Sequence, residues 1–560
     1  MVAANFLVKI IGAVFKIPLA HILKEEGMAL FSSAYNLYAI LFVIATAGLP
    51  VAVSKMVSES VAKNNEAEAR KIFHAALSLL TVIGLLGACV LFFCSGFLAK
   101  GISTEDGAAP GIALGIMCIA PAIFFVAVLS AFRGYFQGRS SMTPTALSEV
   151  AEALGKLAIG LLLASLLLPT GLVNSASGAV LGVTGGSLLG CLTIIVIYLI
   201  DKSKMKTARL PSTQAVRSTR KILLQLAAIA VPITLGAAVS SLTNLIDLFM
   251  IRQRLGTLTV SPELYAAMLG YYGLPGSDVA IGAHLSGKAT EVLYGAYSGY
   301  AIPMFNLPLT IVTALSMCLV PAISGSFALK NMNQARRLTE VSVRLTALFA
   351  LPCAAGLSLL ASPILTVVYN NARAQSMLSI LGWAVIFVCL VSVTTAILQA
   401  AGRVMVPVAS MAAGALVKIA ANFVLLTVPD INIGGAPLST ILCYFTIAVL
   451  NLIAIHRGIR PKFQLVSCVI KPIFAAVLMC AAAYFTYQAV GGWLGAAALA
   501  PGLSFLPQDP PITPVETGVL IKTAVALGSA ILAGGIVYLS AILLTKAFTK
   551  EDIQMITNRK

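Results

Sequence analysis

The sequence predicts an all-α polytopic membrane protein with about fourteen transmembrane helices, arranged as two six-helix lobes related by pseudo-two-fold symmetry plus two extra C-terminal helices. Three observations support this fold class. Hydrophobic residues make up 59% of the chain, charged residues only 10%, and the mean hydropathy is +0.97, which lies outside the range of soluble globular proteins. Apolar runs of membrane-spanning length recur along the whole chain. Two segments of the first half also recur in the second half.

Each predicted span is an apolar run that can cross a hydrocarbon layer about 30 Å thick, at about 1.5 Å of rise per residue. The first run carries two lysines and has no small-residue cleavage site, so it is predicted to be a retained first helix rather than a signal peptide. The fourteen runs lie at residues 4–22, 29–54, 72–99, 108–132, 144–168, 178–200, 222–250, 291–323, 341–361, 375–400, 405–428, 435–456, 466–490 and 518–545.

An internal duplication relates the two halves. Residues 396–422 repeat the order of Gln, Gly, Arg, Pro, Ser and Lys that is found in residues 131–160, and with one gap Lys156 aligns with Lys418. Two matches at one offset favour duplication over chance. The second matched pair, at the same offset, consists of residues 34–40 and 296–302.

The duplication and the loop charges predict the domain organisation. Because each repeat holds six helices, both copies cross the membrane in the same direction, related by an axis along its normal. Most of the 37 lysines and arginines lie in the loops after even-numbered spans and in the C-terminal tail, so both termini are predicted to be cytoplasmic. The predicted domains are an N-terminal six-helix lobe at 1–200, a basic cytoplasmic linker at 201–221, a C-terminal six-helix lobe at 222–456, and helices 13 and 14 with a cytoplasmic tail at 457–560.

The fifth span contains a charged stripe, in which Glu149, Glu152 and Lys156 interrupt an apolar helix. At 100° per residue these side chains lie on one face, and Lys156 lies roughly 18 Å beyond Pro144, near the middle of the hydrocarbon layer. Ionisable side chains at that depth normally face a bundle interior or a water-filled cavity. We therefore expect a gating or coupling site in which Glu149 and Glu152 hold Lys156.

Lysines inside the spans are candidates for anion binding. Lys9 and Lys16 are seven residues apart and share one face of the first helix. Together with Lys156 and Lys418 they would line a cationic cavity shared by both halves. Two alternatives stay open: Lys9 snorkels to the cytoplasmic surface, and Lys156 only neutralises Glu152 one turn away.

Two further polar groups lie near the ends of spans. The outer group suggests a gate or vestibule, and a solvated interfacial rim explains it as well. The cytoplasmic group would ring the mouth of a cavity, although positive-inside topology alone accounts for it. The outer group is Asn244, Asp247, Arg252, Arg254 and Glu291, and the cytoplasmic group is Lys55, Arg133 and Arg139.

The sixth predicted span, 178–200, carries a ridge of small residues. Gly178, Gly182, Gly186 and Gly190 recur every four residues, so they lie close together along the helix surface. Such a ridge predicts close packing against a neighbouring helix rather than a ligand site.

No pattern indicates an enzyme, a cofactor or a metal site, and no catalytic residue is predicted. The four histidines are scattered, HExxH and CxxC motifs do not occur, and the ten cysteines lie inside apolar runs. Residues 282–288 mimic a phosphate-binding loop, but Ala289 stands where a Ser or Thr belongs, so we expect no nucleotide. No basic segment interleaves with aromatic residues, which argues against nucleic acid.

Four segments spread over both halves carry a family resemblance. They are AYNLYAILFVIATAGLPVAVSKMVSE (34–59), FRGYFQGRSSMTPTALSE (132–149), NLIDLFMIRQRL (244–255) and NLPLTIVTALSMCLVPAIS (306–324). They resemble the polysaccharide-export branch of the multidrug/oligosaccharidyl-lipid/polysaccharide (MOP) flippase superfamily, with its MurJ-type lipid II flippases and proteins like stage V sporulation protein B. The motif RGYFQG followed by MTPTA is fairly specific to this branch.

The resemblance implies two six-helix lobes around a central cavity, plus an extra helix pair, working by alternating access. It implies a transporter that flips an undecaprenyl-pyrophosphate-linked sugar, lipid II or a related cell-wall precursor, from the inner to the outer leaflet of the bacterial cytoplasmic membrane. Cell-wall synthesis enzymes are then candidate protein partners. The basic residues that the resemblance implies for the cavity are Lys9, Lys16, Lys55, Arg252 and Arg254.

Two other functions stay open. A cation-coupled multidrug exporter of the same superfamily would use Glu149 or Glu152 to bind cationic drugs. A non-transporting membrane scaffold for wall synthesis would be insensitive to charge removal at Lys156 and Lys418. The cations in the spans favour the flippase, because a pyrophosphate in a low-dielectric cavity needs positive partners.

Overall fold

The computed structural model confirms an all-α fold. It describes residues 2–46, 48–63, 65–103, 109–139, 141–205, 217–257, 280–281, 284–285, 287–328, 331–461, 470–496 and 517–545. The chain divides into two compact units, Met1–Gln253 and Arg254–Lys560. The division of the chain into two six-helix lobes joined by a basic linker stays a prediction. Residues 206–216 of that linker lie outside the described residues.

The first unit is built from eight α-helices and one 3₁₀-helix, Leu168–Thr170, among the described residues. The α-helices are α1 (Val2–Thr46), α2 (Leu49–Ala62), α3 (Glu66–Phe93), α4 (Ser95–Ile102), α5 (Ala109–Gly138), α6 (Thr143–Leu167), α7 (Leu172–Met205) and α8 (Thr219–Leu255), whose last two residues pass into the second unit.

The described part of the second unit adds nine α-helices, a short π-helix and a two-stranded antiparallel ribbon. The ribbon consists of β1 (Ala280–Ile281) and β2 (His284–Leu285). The helices are α9 (Gly287–Ala296), the π-helix Tyr297–Ala301, α10 (Ile302–Ala328), α11 (Met332–Leu359), α12 (Ala361–Tyr369), α13 (Gln375–Ala400), α14 (Met405–Leu425), α15 (Gly435–Gly458), α16 (Lys471–Leu494) and α17 (Thr517–Leu544).

Within the described ranges, ten helices are long and apolar enough to cross a membrane. Large apolar side chains are exposed on their outer faces, for example Leu86 at 61%, Phe93 at 80% and Leu166 at 63%. Such exposure suits contact with lipid tails rather than with water. The chain is therefore a multi-pass membrane protein, and the number fourteen stays a prediction.

The first two predicted spans need correction at their ends. They form one continuous helix, α1, with a kink at Lys24 (φ 52°, ψ −164°) where the sequence predicts a break. The second span was expected to run to residue 54, but α1 ends at Thr46 and α2 begins at Leu49. Pro50 explains the new start, because proline has no N–H to donate and is tolerated in the first turn of a helix.

The core of the first unit lies around α5, which packs against α1, α2, α3 and α7. An aromatic cluster joins three of these helices: the ring of Phe73 on α3 lies 5.1 Å from Phe132 and 4.7 Å from Tyr135 on α5, and 5.2 Å from Tyr198 on α7. Aromatic pairs at these distances add stabilisation beyond the area they bury. The cluster fixes α5 in position at the end that carries the candidate site.

In the second unit, α13 packs against α10, α11 and α15. The two C-terminal helices pack on each other, and α16 also contacts α11 while α17 contacts α12. The Tyr538 hydroxyl of α17 donates to the Leu348 carbonyl of α11 at 2.5 Å. The appended pair is therefore attached to the second unit by apolar packing and by a buried hydrogen bond.

Candidate functional site

The candidate site is a buried group of polar side chains in the first unit, here called the charge cluster: Arg133, Ser148, Glu149, Glu152 and Lys156. Arg133 Nη2 lies 3.0 Å from Glu152 Oε2, and Lys156 Nζ lies 2.6 Å from Glu152 Oε1. Arg133 Nε also donates to Ser148 Oγ at 3.0 Å. One carboxylate is thus held between two cations of different helices.

The local sequence of α6 explains why these side chains meet. The helix begins with Pro144 in its first turn, and Thr145, Ser148 and Glu152 then recur every three or four residues on its buried face. Lys156 lies one turn beyond Glu152, the spacing at which opposite charges pair on a helix. The predicted polar stripe is therefore observed on the inner side of α6.

The glycine ridge of α7 packs directly behind this stripe. A Cβ on Gly186 would lie 2.5 Å from Cγ of Lys156, and one on Gly190 would lie 2.9 Å from Cβ of Glu152. Only glycine allows α7 to come this close. The ridge predicted for packing also sets the depth and direction of the charged side chains.

Glu149 does not make the contact with Lys156 that the sequence predicts. We expected Glu149 and Glu152 together to hold Lys156, but only Glu152 contacts it. Glu149 lies two helical turns from Lys156, too far for an ion pair. Its half-buried carboxylate has one oxygen, Oε2, that is buried without a hydrogen bond to any residue the structure describes.

Arg133 belongs to the cluster, although sequence reasoning assigned it to the cytoplasmic mouth. Its side chain is 13% exposed, compared with 8% for Glu152 and 24% for Lys156. A signal was available: the stripe on α6 carries two carboxylates and one cation, and buried carboxylates require positive partners. A second cation from a neighbouring helix should have been expected.

The other predicted cations of the first unit lie in different environments. Lys16 is half-buried on α1, and Lys55 is exposed on α2. Arg252 is fully buried on α8, and Asp247 on the same helix is also buried. Lys9 belongs to α1, but its side chain lies outside what the structure describes.

Three predicted residues lie in the second unit. Lys418 on α14 is buried at 2% exposure, so this copy of the duplicated lysine is also inside the protein. The guanidinium of Arg254 lies over the ring of Phe423 at 3.5 Å, a cation–π contact. Glu291 is half-buried on α9, six residues before the π-helix begins at Tyr297.

Two ion pairs lie near the predicted cytoplasmic ends of the helices. Arg139 Nη1 lies 2.7 Å from Glu66 Oε2. Burial lowers the pKa of Arg139, but the hydrogen bond and charge of Glu66 outweigh this, so the pKa lies above its usual value. Arg217 pairs with Glu68 through its side chain, and its carbonyl accepts from Lys71 at 2.8 Å. The second pair fastens the end of the predicted linker to α3.

Comparison with known proteins gives the family. The family model for polysaccharide biosynthesis proteins matches residues 1–327, which is more than half of the chain. The chain belongs to this family. A second family model, for the lipid II flippase MurJ, matches residues 289–500, so the two matches extend over both halves of the chain.

The family assignment agrees with individual relatives from Bacillus subtilis (strain 168). The chain is 24% identical to stage V sporulation protein B over 510 residues, covering 89% of this chain and 92% of that protein. It is 26% identical to the lipid II flippase MurJ over 491 residues, covering 85% of each. The resemblance seen in the sequence is therefore confirmed.

Solved structures confirm the fold. A lipid II flippase MurJ in an inward closed conformation matches with a TM-score of 0.65 at 15% identity, covering 97% of this chain and 98% of that one. An inward-facing multidrug resistance MATE family transporter of the MOP superfamily matches with a TM-score of 0.62 at 12% identity, covering 82% of this chain and 98% of that one.

Proposed function

We propose that this protein flips an undecaprenyl-pyrophosphate-linked sugar, lipid II or a related cell-wall precursor, from the inner to the outer leaflet of the bacterial cytoplasmic membrane by alternating access, with both termini cytoplasmic. The observation that carries the proposal is the charge cluster, in which Arg133 and Lys156 hold one buried carboxylate. The relatedness to the lipid II flippase MurJ over most of both chains supports the substrate class.

Glu152 occupies the place of an anionic ligand in this mechanism. Arginine and lysine both bind phosphate oxygens, and the planar guanidinium can bind two at once. A pyrophosphate that enters the cluster competes with the Glu152 carboxylate for both cations. Exchange of one anion for the other would free α6 from α5 and so couple substrate binding to helix movement.

Residues outside the cluster extend this proposal. The additional cations would attract and pass on the pyrophosphate, because positive charges in a low-dielectric environment act strongly on an anion. The additional carboxylates would hold the cations in the absence of substrate and so act as gating groups. The proposed cations outside the cluster are Lys9, Lys16, Lys55, Lys418, Arg252 and Arg254, and the proposed gating carboxylates are Asp247 and Glu291 outside the cluster together with Glu149 and Glu152 within it.

The test is translocation of a fluorescent lipid II analogue in proteoliposomes. We compare the wild-type protein with Arg133→Gln and Lys156→Gln. The matched control is Lys63→Gln, which removes one positive charge from an exposed turn. We expect transport to fall at least tenfold in both cluster variants and to be unchanged in the control.

Protein that is monodisperse and helical by circular dichroism is required for each variant, so that loss of transport is not loss of fold. Full transport by both cluster variants would refute the role of the cluster. A folded wild-type protein that moves neither lipid II nor another undecaprenyl-pyrophosphate-linked glycan would refute the proposed function.

One observation favours a second candidate, a cation-coupled multidrug exporter. Glu149 has a buried carboxylate oxygen, Oε2, without a hydrogen bond among the described residues, and this oxygen would be the one to bind an organic cation. This function predicts efflux of cationic dyes that is lost in Glu149→Gln. The flippase predicts no dye efflux in the wild-type protein.

A further inference from the structure

A groove of about 410 Å³ opens between α14 and α15 in the second unit. This volume falls within the range of about 300–1,000 Å³ that is typical of small-molecule sites. Arg403 and Arg457 lie in its lining with Ser410 and apolar side chains such as Leu450 and Ile453. The groove thus combines two positive charges with an apolar wall.

Its place in the fold corresponds to a membrane interface. Arg403 lies in the turn just before α14, and Arg457 lies in the last turn of α15. Loop charges predict that these helix ends face the cytoplasm. Leu450 and Ile453 lie further into α15 and are 36% and 43% exposed, so they continue the groove along a surface suited to lipid tails.

The side chains of the two arginines have no hydrogen-bonded or ion-paired protein partner among the described residues. The first half of the chain shows the contrast. Arg139 holds the place of Arg403 in the duplicated Gln-Gly-Arg segment, and it is paired with Glu66 at 2.7 Å. The duplication therefore kept the arginine in both halves, while only the first copy received a carboxylate.

Gly458 makes room for Arg403 at the edge of the groove. A Cβ on this glycine would lie 2.7 Å from Nη1 of Arg403 and 2.8 Å from its Cζ. The guanidinium therefore lies against Gly458, the last residue of α15, which follows Arg457 in sequence. Two cations that line one groove without an ion-paired carboxylate among the described residues favour binding of an external anion.

We propose that this groove binds an anionic phospholipid of the inner leaflet, with Arg403 and Arg457 contacting its phosphate and one acyl chain lying along Leu450 and Ile453. Basic pockets between helices on the cytoplasmic side suit such headgroups. The apolar wall favours a lipid over a free phosphate, because a soluble anion has no acyl chain to bury against that surface. The site is separate from the charge cluster and does not depend on the proposed transport function.

Arg457 would also interact favourably with the C-terminal dipole of α15. The test therefore measures lipid selectivity rather than stability alone. The full-length protein is delipidated in detergent and then incubated with phosphatidylglycerol, phosphatidylcholine or soluble glycerol phosphate. The bound molecules are counted by native mass spectrometry. Arg403→Gln/Arg457→Gln is compared with Arg460→Gln, a nearby exposed arginine that does not line the groove.

We expect the wild-type protein and Arg460→Gln to retain phosphatidylglycerol over phosphatidylcholine, and the double variant to lose about 25-fold in affinity for phosphatidylglycerol, since each of the two interfacial cations contributes roughly a fivefold preference. Gly458→Ala, which displaces the Arg403 guanidinium without removing a charge, should give an intermediate loss. Equal retention of phosphatidylglycerol by wild type and double variant would overturn the proposal. Displacement by soluble glycerol phosphate, or selective displacement by undecaprenyl pyrophosphate, would instead assign the groove to a free phosphate or to the transport substrate.

Discussion

Arg133 on α5 and Glu152 on α6 form a buried ion pair, with Nη2 and Oε2 3.0 Å apart. The two residues are 19 positions apart in sequence. Their ion pair joins two helices that otherwise have few contacts with each other. The same carboxylate also binds Lys156 at 2.6 Å. The pair therefore controls both the charge balance of the cluster and the attachment of α6 to α5.

Replacing Glu152 should destabilise the first unit. Glu152→Gln leaves Arg133 and Lys156 without their carboxylate, and loss of one partner of a buried pair costs about 3–5 kcal/mol. We expect a clear decrease in the thermal unfolding temperature in detergent. The double variant Arg133→Gln/Glu152→Gln should recover part of the loss. A single variant as stable as the wild type would show that the pair is solvated.

The glycine ridge of α7 should not tolerate a methyl group. Gly186→Ala places a Cβ 2.5 Å from Cγ of Lys156 and 2.6 Å from the Glu152 carbonyl oxygen, and overpacking of this kind costs about 1–3 kcal/mol. The matched control is Gly528→Ala on α17, where nothing lies within 4 Å of the added Cβ. The control should be neutral or slightly stabilising, because alanine favours helix. Equal unfolding temperatures for the two variants would contradict the close packing.

The Arg217–Glu68 pair should contribute modestly to stability. Arg217 is 31% exposed and Glu68 is 7% exposed at the side chain, so solvent screens the interaction and a coupling energy of about 1 kcal/mol is expected. A double-mutant cycle with Arg217→Gln and Glu68→Gln measures it, and the coupling should decrease at high salt. A cycle with the exposed Arg220 in place of Arg217 should give no coupling.

Tyr538 should help to hold the C-terminal helix pair on the second unit. Tyr538→Phe removes the hydroxyl that donates to the buried Leu348 carbonyl and should cost about 1–2 kcal/mol. Limited proteolysis should then release α16 and α17 faster than in the wild type. Tyr484→Phe, at a 40% exposed tyrosine of α16, is the control and should behave as the wild type.

The sequence predicted most of the helices because hydrophobic runs of spanning length leave few alternatives to a transmembrane helix. The expected run 375–400 coincides with α13, and the expected run 435–456 is α15 with two further residues. The exceptions are internal breaks and shifted helix ends: the expected run 72–99 is divided between α3 and α4, and the expected run 291–323 between α9, the π-helix and α10. Lys24 bends α1 without ending it, and Pro50 starts a new helix inside a predicted span.

The polar stripe of α6 was also predictable, because helical periodicity determines which side chains share a face. The residues that contact this stripe from other helices were not predictable. Periodicity within one helix could not show that Arg133 reaches Glu152 from α5, that Glu149 stays out of the ion pair, or that Gly186 brings α7 within contact of Lys156.

The sequence by itself thus determined that this chain is a helical membrane protein with an internal duplication, charged residues within its spans and a family resemblance to flippases. Those features depend on composition, local periodicity and similarity, which are properties of the chain before it folds. Only the tertiary structure decided which cations share the buried carboxylate, and that Arg403 and Arg457 line one groove while Arg139 is paired with Glu66. Such contacts depend on how separate helices pack together, and the side chains at each interface determine that packing.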